Sequence, residues 1–129
     1  MSGFCLGIAF TVVYATIPSE TITLSWNHSV EKTRWEEEYI IRDKRLVLTT
    51  ARVQGSGAGM EPGRGGVRRG AWWEYRPDLA PQAHITLANS AFTEDYRLCA
   101  EDDCRTLDSW LDDKGSLGAP VDLFPCPAK

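Results

Sequence analysis

The feature that most constrains the fold is an alternation of side-chain types with a period of two. Residues 21–27 carry Ile22, Leu24 and Trp26 at even positions, and threonine or serine lies between them. Successive side chains of a β-strand point to opposite faces of a sheet, so this pattern predicts one buried and one wet face. Further segments with strand character lie at residues 35–41, 46–53, 71–75, 84–88, 95–100 and from 104 onwards. These segments predict a β-rich protein.

The fold class follows from about seven short strands and one helical signal. Leu107, Trp110 and Leu111 have the spacing of one helical turn. We therefore predict an all-β, single-domain antiparallel β-sandwich or partly open β-barrel with one short C-terminal helical turn. A chain of 129 residues fits one domain. We expect that domain over residues 1–114 and an irregular C-terminal tail over residues 115–129.

The N-terminal segment has its own alternation. In residues 4–14 large side chains occupy the even positions and smaller ones the odd positions. The run exceeds the usual strand length of about five or six residues. We predict one long strand that bends between two sheets, with Gly7 as a candidate pivot.

The net charge and its distribution along the chain limit the classes of molecule that the protein can bind. The net charge is −4, which argues against a protein that coats nucleic acid, because phosphate binding needs clustered Lys and Arg. The charge is uneven, with eight basic residues and three acids over residues 42–76, so a local anion site remains open. No uncharged run reaches the length of about 20 residues that a membrane helix needs. Residues 1–19 lack the basic start of a secretory signal, which predicts a cytoplasmic location by default.

Four cysteines, Cys5, Cys99, Cys104 and Cys126, permit two disulfides with three connectivities. Cys99 and Cys104 flank a four-residue turn, and a hairpin places such residues at disulfide distance. The spacing is compatible with a disulfide or with two buried thiols. The cysteine hairpin keeps a periplasmic or membrane-associated location as the alternative to the cytoplasmic default.

Residues 26–38 concentrate the unusual chemistry of the chain. Strand parity places Trp35 and Glu37 on an inward face with Tyr39, and it directs the neighbouring acids Glu36 and Glu38 outward. A helix is the competing interpretation of residues 31–41. An unpaired carboxylate among aromatics is costly, so Glu37 should have a partner. That partner is either a basic side chain such as Arg34 or, in a functional site, a cation or ligand amine.

His28 with Glu31 has two interpretations. The pair suits half of a metal site or an acid-base group, but a buried, hydrogen-bonded structural histidine is the preferred interpretation. The sequence lacks C-x-x-C and H-E-x-x-H spacings, and no metal or cofactor is predicted.

The glycine-rich run at residues 55–61 reads Gly-Ser-Gly-Ala-Gly-Met-Glu. Consecutive backbone N–H groups of such a run form an anion-holding nest. The run satisfies neither the P-loop nor the G-x-G-x-x-G spacing, so a flexible or bulged connection is the simpler interpretation. Arg64, Arg68 and Arg69 follow, and they keep an anion site open.

Taken together, these motifs resemble the bacterial family called domain of unknown function 1850. The motifs are, in chain order, Trp26-x-His28-Ser29-Val30-Glu31-Lys32-x-x-Trp35-Glu36-Glu37, Gly55-Ser-Gly-Ala-Gly-Met60-Glu61, Trp72-Trp73, and Leu98-Cys99 with Cys104. The resemblance spans residues 5–111. It implies an association with tripartite ATP-independent transporters that use a TAXI-type receptor, and hence an accessory role in uptake of carboxylates or amino acids.

The leading hypothesis is therefore a non-enzymatic domain that binds a transporter subunit or a small anionic ligand. The rival is a small hydrolase or metal-dependent enzyme that uses His28 with Glu31 or Glu37. A third hypothesis is a purely structural interaction domain. The candidate ligand-binding residues are His28, Ser29, Glu31, Trp35, Glu37, Gly55, Ser56, Gly57, Gly59, Glu61, Trp72 and Trp73.

Overall fold

The computed structural model consists mainly of two antiparallel β-sheets with a shared hydrophobic core. It describes residues 3–9, 11–27, 34–54, 67–76, 79–87, 96–112 and 120–127. Within these ranges the elements are β1 (Phe4–Ile8), β2 (Val12–Ile17), β3 (Thr21–Asn27), β4 (Arg34–Arg42), β5 (Arg45–Gln54), β6 (Val67–Arg69), β7 (Trp72–Tyr75), β8 (Ile85–Leu87), β9 (Arg97–Ala100), β10 (Asp103–Thr106), α1 (Leu107–Leu111) and β11 (Val121–Pro125). The predicted all-β, sandwich-like fold is confirmed.

The smaller sheet has the strand order β2-β1-β11-β8. The prediction of one bent strand over residues 4–14 is wrong, because the chain reverses after Ile8 and β2 pairs antiparallel with β1. A hydrogen bond from Thr11 N to Ile8 O, 2.9 Å long, closes the turn. Gly7 lies at a register shift beside β2, where a Cβ atom would approach the Val12 carbonyl oxygen to 2.0 Å. Gly7 therefore permits a close strand pair rather than a pivot between sheets.

The C-terminal segment completes the smaller sheet. The prediction of an irregular tail over residues 115–129 is wrong at β11, which lies between β1 and β8. Val121, Leu123 and Phe124 are buried, and Leu123 and Phe124 are fully inaccessible to solvent. The apolar-polar-apolar order around Asp122 is a short strand signal, and the surrounding prolines and glycines obscured it.

The larger sheet has the order β10-β9-β3-β4-β5-β7-β6. The strand interpretation of β4 is confirmed and its helical alternative is wrong, since β4 pairs with β3 along Asn27↔Arg34 to Thr21↔Ile40. β4 and β5 join at Asp43 and Lys44, whose φ angles of 52° and 63° suit the type I′ turn of a tight hairpin. The register shifts between Glu38 and Tyr39.

The predicted helical turn is confirmed as α1. The Thr106 side chain accepts a hydrogen bond from Ser109 N at 3.2 Å and caps the first turn. The Trp110 ring N–H donates to Leu98 O at 2.9 Å, which fixes the helix against β9. None of the described helices is long and apolar enough to span a membrane.

The four cysteines form two disulfides in the structure. Cys99 is bonded to Cys104, and the two residues lie directly opposite each other on β9 and β10. Cys5 is bonded to Cys126, which joins β1 to the segment after β11. The second bond links the two ends of the described chain, with a sequence separation of 121.

Candidate functional site

The inward face of β4 carries an acidic side chain inside an apolar row. Glu37 lies opposite Leu24 of β3 and Ala51 of β5. Leu24 and Ala51 are buried, whereas Glu37 is half-buried. Directly opposed side chains in antiparallel strands have Cβ atoms about 5 Å apart, so the carboxylate is close to apolar surface on both sides.

The row of directly opposed side chains that contains Glu37 continues across β5 onto β7. A second such row, which contains Trp35, lies beside it. Tyr75 lies opposite Ala51, and Trp73 lies opposite Val53, which in turn faces Trp35. Each row therefore places a small side chain of β5 between two larger ones on β4 and β7. Ala51 and Val53 are only 1% and 2% exposed. Ala51 and Val53 of β5 are thus buried between half-buried side chains of β4 and β7, two strands about 10 Å apart.

The hydrogen-bond partner of Glu37 is a tyrosine. The Tyr39 hydroxyl donates to Glu37 Oε1 at 2.9 Å. The expectation of a structural pair with Arg34 is wrong, because Arg34 lies at an even position and contacts Glu36 and Ser25 instead. Glu37 and Tyr39 are two residues apart on one strand and so lie on the same face of the sheet. This explains why Tyr39, and not Arg34, is the hydrogen-bond partner of Glu37.

Burial changes the acid-base properties of this face. Burial raises the pKa of Glu37, and the hydrogen bond from Tyr39 offsets only part of that rise. Burial also raises the pKa of Tyr75, and the Glu37 charge raises it further. Burial, the Glu37 charge and the hydrogen bond together raise the pKa of Tyr39 well above its ordinary value. Both tyrosines therefore remain neutral donors at physiological pH.

The aromatic wall continues onto β3. Trp26 stacks on Trp35 with ring centroids 6.2 Å apart and planes inclined by 7°. Tyr96 packs against Trp26 at 5.8 Å with a tilt of 58°. The ring N–H of Trp35 is buried and has no hydrogen-bond acceptor among the described residues. A buried donor without an acceptor is costly, so this atom suits an acceptor oxygen of a bound molecule.

The opposite face of β4 is an ion-pair network centred on Arg52. Arg52 contacts Glu74 at 3.0 Å and Glu36 at 3.5 Å, and it also pairs with Glu38. The outward assignment of Glu36 and Glu38 is confirmed by their position opposite Arg52 and Thr50. The network neutralises much of the charge on the outer face of β4, β5 and β7.

The structure brings together three of the predicted residues, Trp35, Glu37 and Trp73. Trp72 lies on the outer face, opposite Gln54, because adjacent strand residues point in opposite directions. Trp72 therefore does not share the face that carries Glu37 and Trp73. The remaining candidates lie outside the described residues: His28, Ser29, Glu31, Gly55, Ser56, Gly57, Gly59 and Glu61.

Tyr75 is the wall residue that the sequence interpretation missed. It lies two positions after Trp73, so the period of two in residues 72–75 was the signal that assigns it to the same face. Among the residues that the structure describes, no group of three metal-binding side chains occurs. The arrangement is suited to holding a polar group against aromatic rings, with Glu37 as acceptor.

One of the comparisons with known proteins finds a matching family. The family described as Domain of unknown function (DUF1850) matches residues 22–107, about two thirds of the chain. The match covers β3 to β10, which include every strand of the larger sheet, whereas β1, β2 and β11 lie outside it. Neither the curated proteins nor the solved structures contain a match to the chain. The chain therefore belongs to the domain of unknown function 1850 family.

Proposed function

We propose that this protein is a non-enzymatic binding domain that serves a TAXI-type tripartite ATP-independent transporter of carboxylates or amino acids. The observation that carries the proposal is Glu37, a half-buried carboxylate whose hydrogen-bond donor is the neutral Tyr39. Among the described residues no basic side chain pairs with it. A half-buried carboxylate without a cationic partner costs stability, and such groups are typical of binding sites.

The surroundings of Glu37 support binding rather than catalysis. Trp35 and Tyr75 are half-buried and offer ring surface, Tyr75 also offers a neutral hydroxyl donor, and Tyr39 holds the Glu37 carboxylate in place. Indole and phenol rings supply large contact area with few rotatable bonds. A small molecule or an extended segment of a transporter component fits such a face.

The transporter link and the location rest on two further arguments. The motif resemblance associates the family with TAXI-type transporters. Two disulfides, Cys5–Cys126 and Cys99–Cys104, favour an oxidising compartment, because cytoplasmic thiols are kept reduced. We therefore propose that the domain acts on the periplasmic side, beside the solute receptor.

Calorimetric titration of the oxidised protein tests this function. The titrants are a purified TAXI receptor and L-glutamate. We expect binding of at least one of them, and we expect Trp35→Phe to weaken it by about tenfold because the buried N–H and part of the ring contact are lost. Trp72→Phe is the matched control, since Trp72 lies on the opposite face of the sheet. Equal affinities of the two variants, or no heat with either titrant, would contradict the proposal.

A further inference from the structure

We infer that the group bound at this face is a protonated amine, held by the Glu37 carboxylate between the Trp35 and Tyr75 side chains. The preferred ligand is then an amino acid rather than a dicarboxylate. This inference rests on the proposed function and specifies its substrate class.

The first argument is geometric. Ala51 separates Glu37 from Tyr75, and its methyl group leaves the space between these larger side chains unfilled by β5. The Trp35 side chain borders the same space two residues along β4, about 7 Å from Glu37 in the strand direction. An ammonium group at this point contacts the carboxylate directly and lies near Tyr75, whose phenol is close enough to Glu37 for that charge to raise its pKa. A cation over an aromatic face within about 6 Å of the ring centre is stabilised by the ring quadrupole.

The second argument is the distribution of charge. Glu37 carries negative charge on the inward face. The basic residues Arg34 and Arg52 belong to the outward face and are engaged with Ser25 and with the acids Glu36, Glu38 and Glu74. An anionic group placed beside Glu37 is repelled, whereas an ammonium group replaces the water that burial removed from the carboxylate.

The third argument is the second polar atom on this face. The Trp35 ring N–H is a buried donor with no acceptor among the described residues. An α-amino acid carries an ammonium group and a carboxylate on the same carbon atom. The ammonium group supplies a donor for Glu37, and the carboxylate supplies an acceptor for the Trp35 ring N–H. A simple amine supplies only the first of these, and a dicarboxylate supplies only the second.

The test compares L-glutamate with glutarate, which has the same carbon chain and both carboxylates but no amino group. Calorimetry uses the full, oxidised chain at pH 7, with ethylammonium chloride as a third titrant. We expect L-glutamate to bind at least about tenfold more tightly than glutarate, and ethylammonium to compete weakly with it. We expect Glu37→Gln to remove most of the difference between L-glutamate and glutarate. Glu36→Gln, a change of the same charge on the outward face, should preserve the difference.

The melting temperature of the Glu37→Gln variant separates a loss of binding from a loss of folding. A carboxyl group with a raised folded-state pKa stabilises the fold below its unfolded pKa, and this contribution is lost as the pH rises through the folded pKa. Once Glu37 is ionised its burial no longer stabilises the fold, so Glu37→Gln should leave the melting temperature unchanged or raise it. A melting temperature that falls with unchanged glutamate affinity would assign Glu37 a structural role and overturn the inference.

The outcomes separate the inference from the proposed function. Equal affinities for glutarate and L-glutamate overturn the inference and leave a carboxylate-binding accessory domain. Receptor binding that depends on Trp35, without heat from L-glutamate or ethylammonium, overturns the inference and leaves the transporter role. No heat with the receptor, L-glutamate, glutarate or ethylammonium overturns both.

Discussion

A chain that ends at residue 114 is expected to lose cooperative folding. The truncation removes β11, which lies between β1 and β8, and so divides the smaller sheet. Phe4 and Leu6 are fully buried and β1 pairs with β11, so both lose core contacts on that side. Circular dichroism should show no sharp thermal transition, and a hydrophobic dye should bind the truncated chain.

The matched control is a chain that ends at residue 127, which keeps β11 and Cys126. It should unfold at the melting temperature of the full chain. If the chain of residues 1–114 unfolded cooperatively at that same temperature, β11 would not belong to the folding unit. The family match also excludes β11, together with β1 and β2. A loss of cooperative folding in the truncated chain would show that the matched residues need a strand outside the match.

Replacing Cys5 and Cys126 together by alanine is expected to lower the free energy of unfolding by about 5 kcal/mol. The bond closes a loop with a sequence separation of 121, and the loop-entropy relation gives about 5 kcal/mol for a loop of that size. Cys5 is also buried, so its exchange removes core contacts. Urea unfolding of the oxidised proteins, followed by tryptophan fluorescence, measures the loss.

The second disulfide is the internal comparison. Cys99 and Cys104 close a loop with a sequence separation of 5, for which the same relation gives about 2 kcal/mol. The Cys99→Ala, Cys104→Ala variant should therefore be the more stable of the two double variants. The opposite order would show that the loss of stability follows local strand pairing rather than loop size.

The sequence predicted those parts of the fold where one face of a strand is apolar and the other polar. β3 and β4 have this pattern over most of their length, and the inward positions of Ile22, Leu24 and Tyr39 follow from it. The reversal after Ile8 did not follow, because both strands of a hairpin keep a period of two and the residues between them carry no proline or glycine. β11 was missed because its five residues are surrounded by helix- and strand-breaking residues.

The candidate site was predicted in part for a related reason. Parity along one strand placed Trp35 and Glu37 on the same face, and parity within β7 separates Trp72 from Trp73. The register between β4, β5 and β7 did not follow from parity, because the shift between Glu38 and Tyr39 changes which residue is opposed. The alignment of Glu37 and Tyr75 across Ala51 therefore required the structure.

The pKa of the Glu37 carboxyl group tests the central claim most directly. Carbon-13 NMR of isotope-labelled protein, with the Glu37→Gln variant used for assignment, gives this pKa with and without unlabelled L-glutamate. Burial should hold the pKa of free Glu37 above its ordinary value of 4.5, and the bound ammonium group should lower it. An unshifted pKa in the free protein that does not respond to saturating L-glutamate would contradict the account.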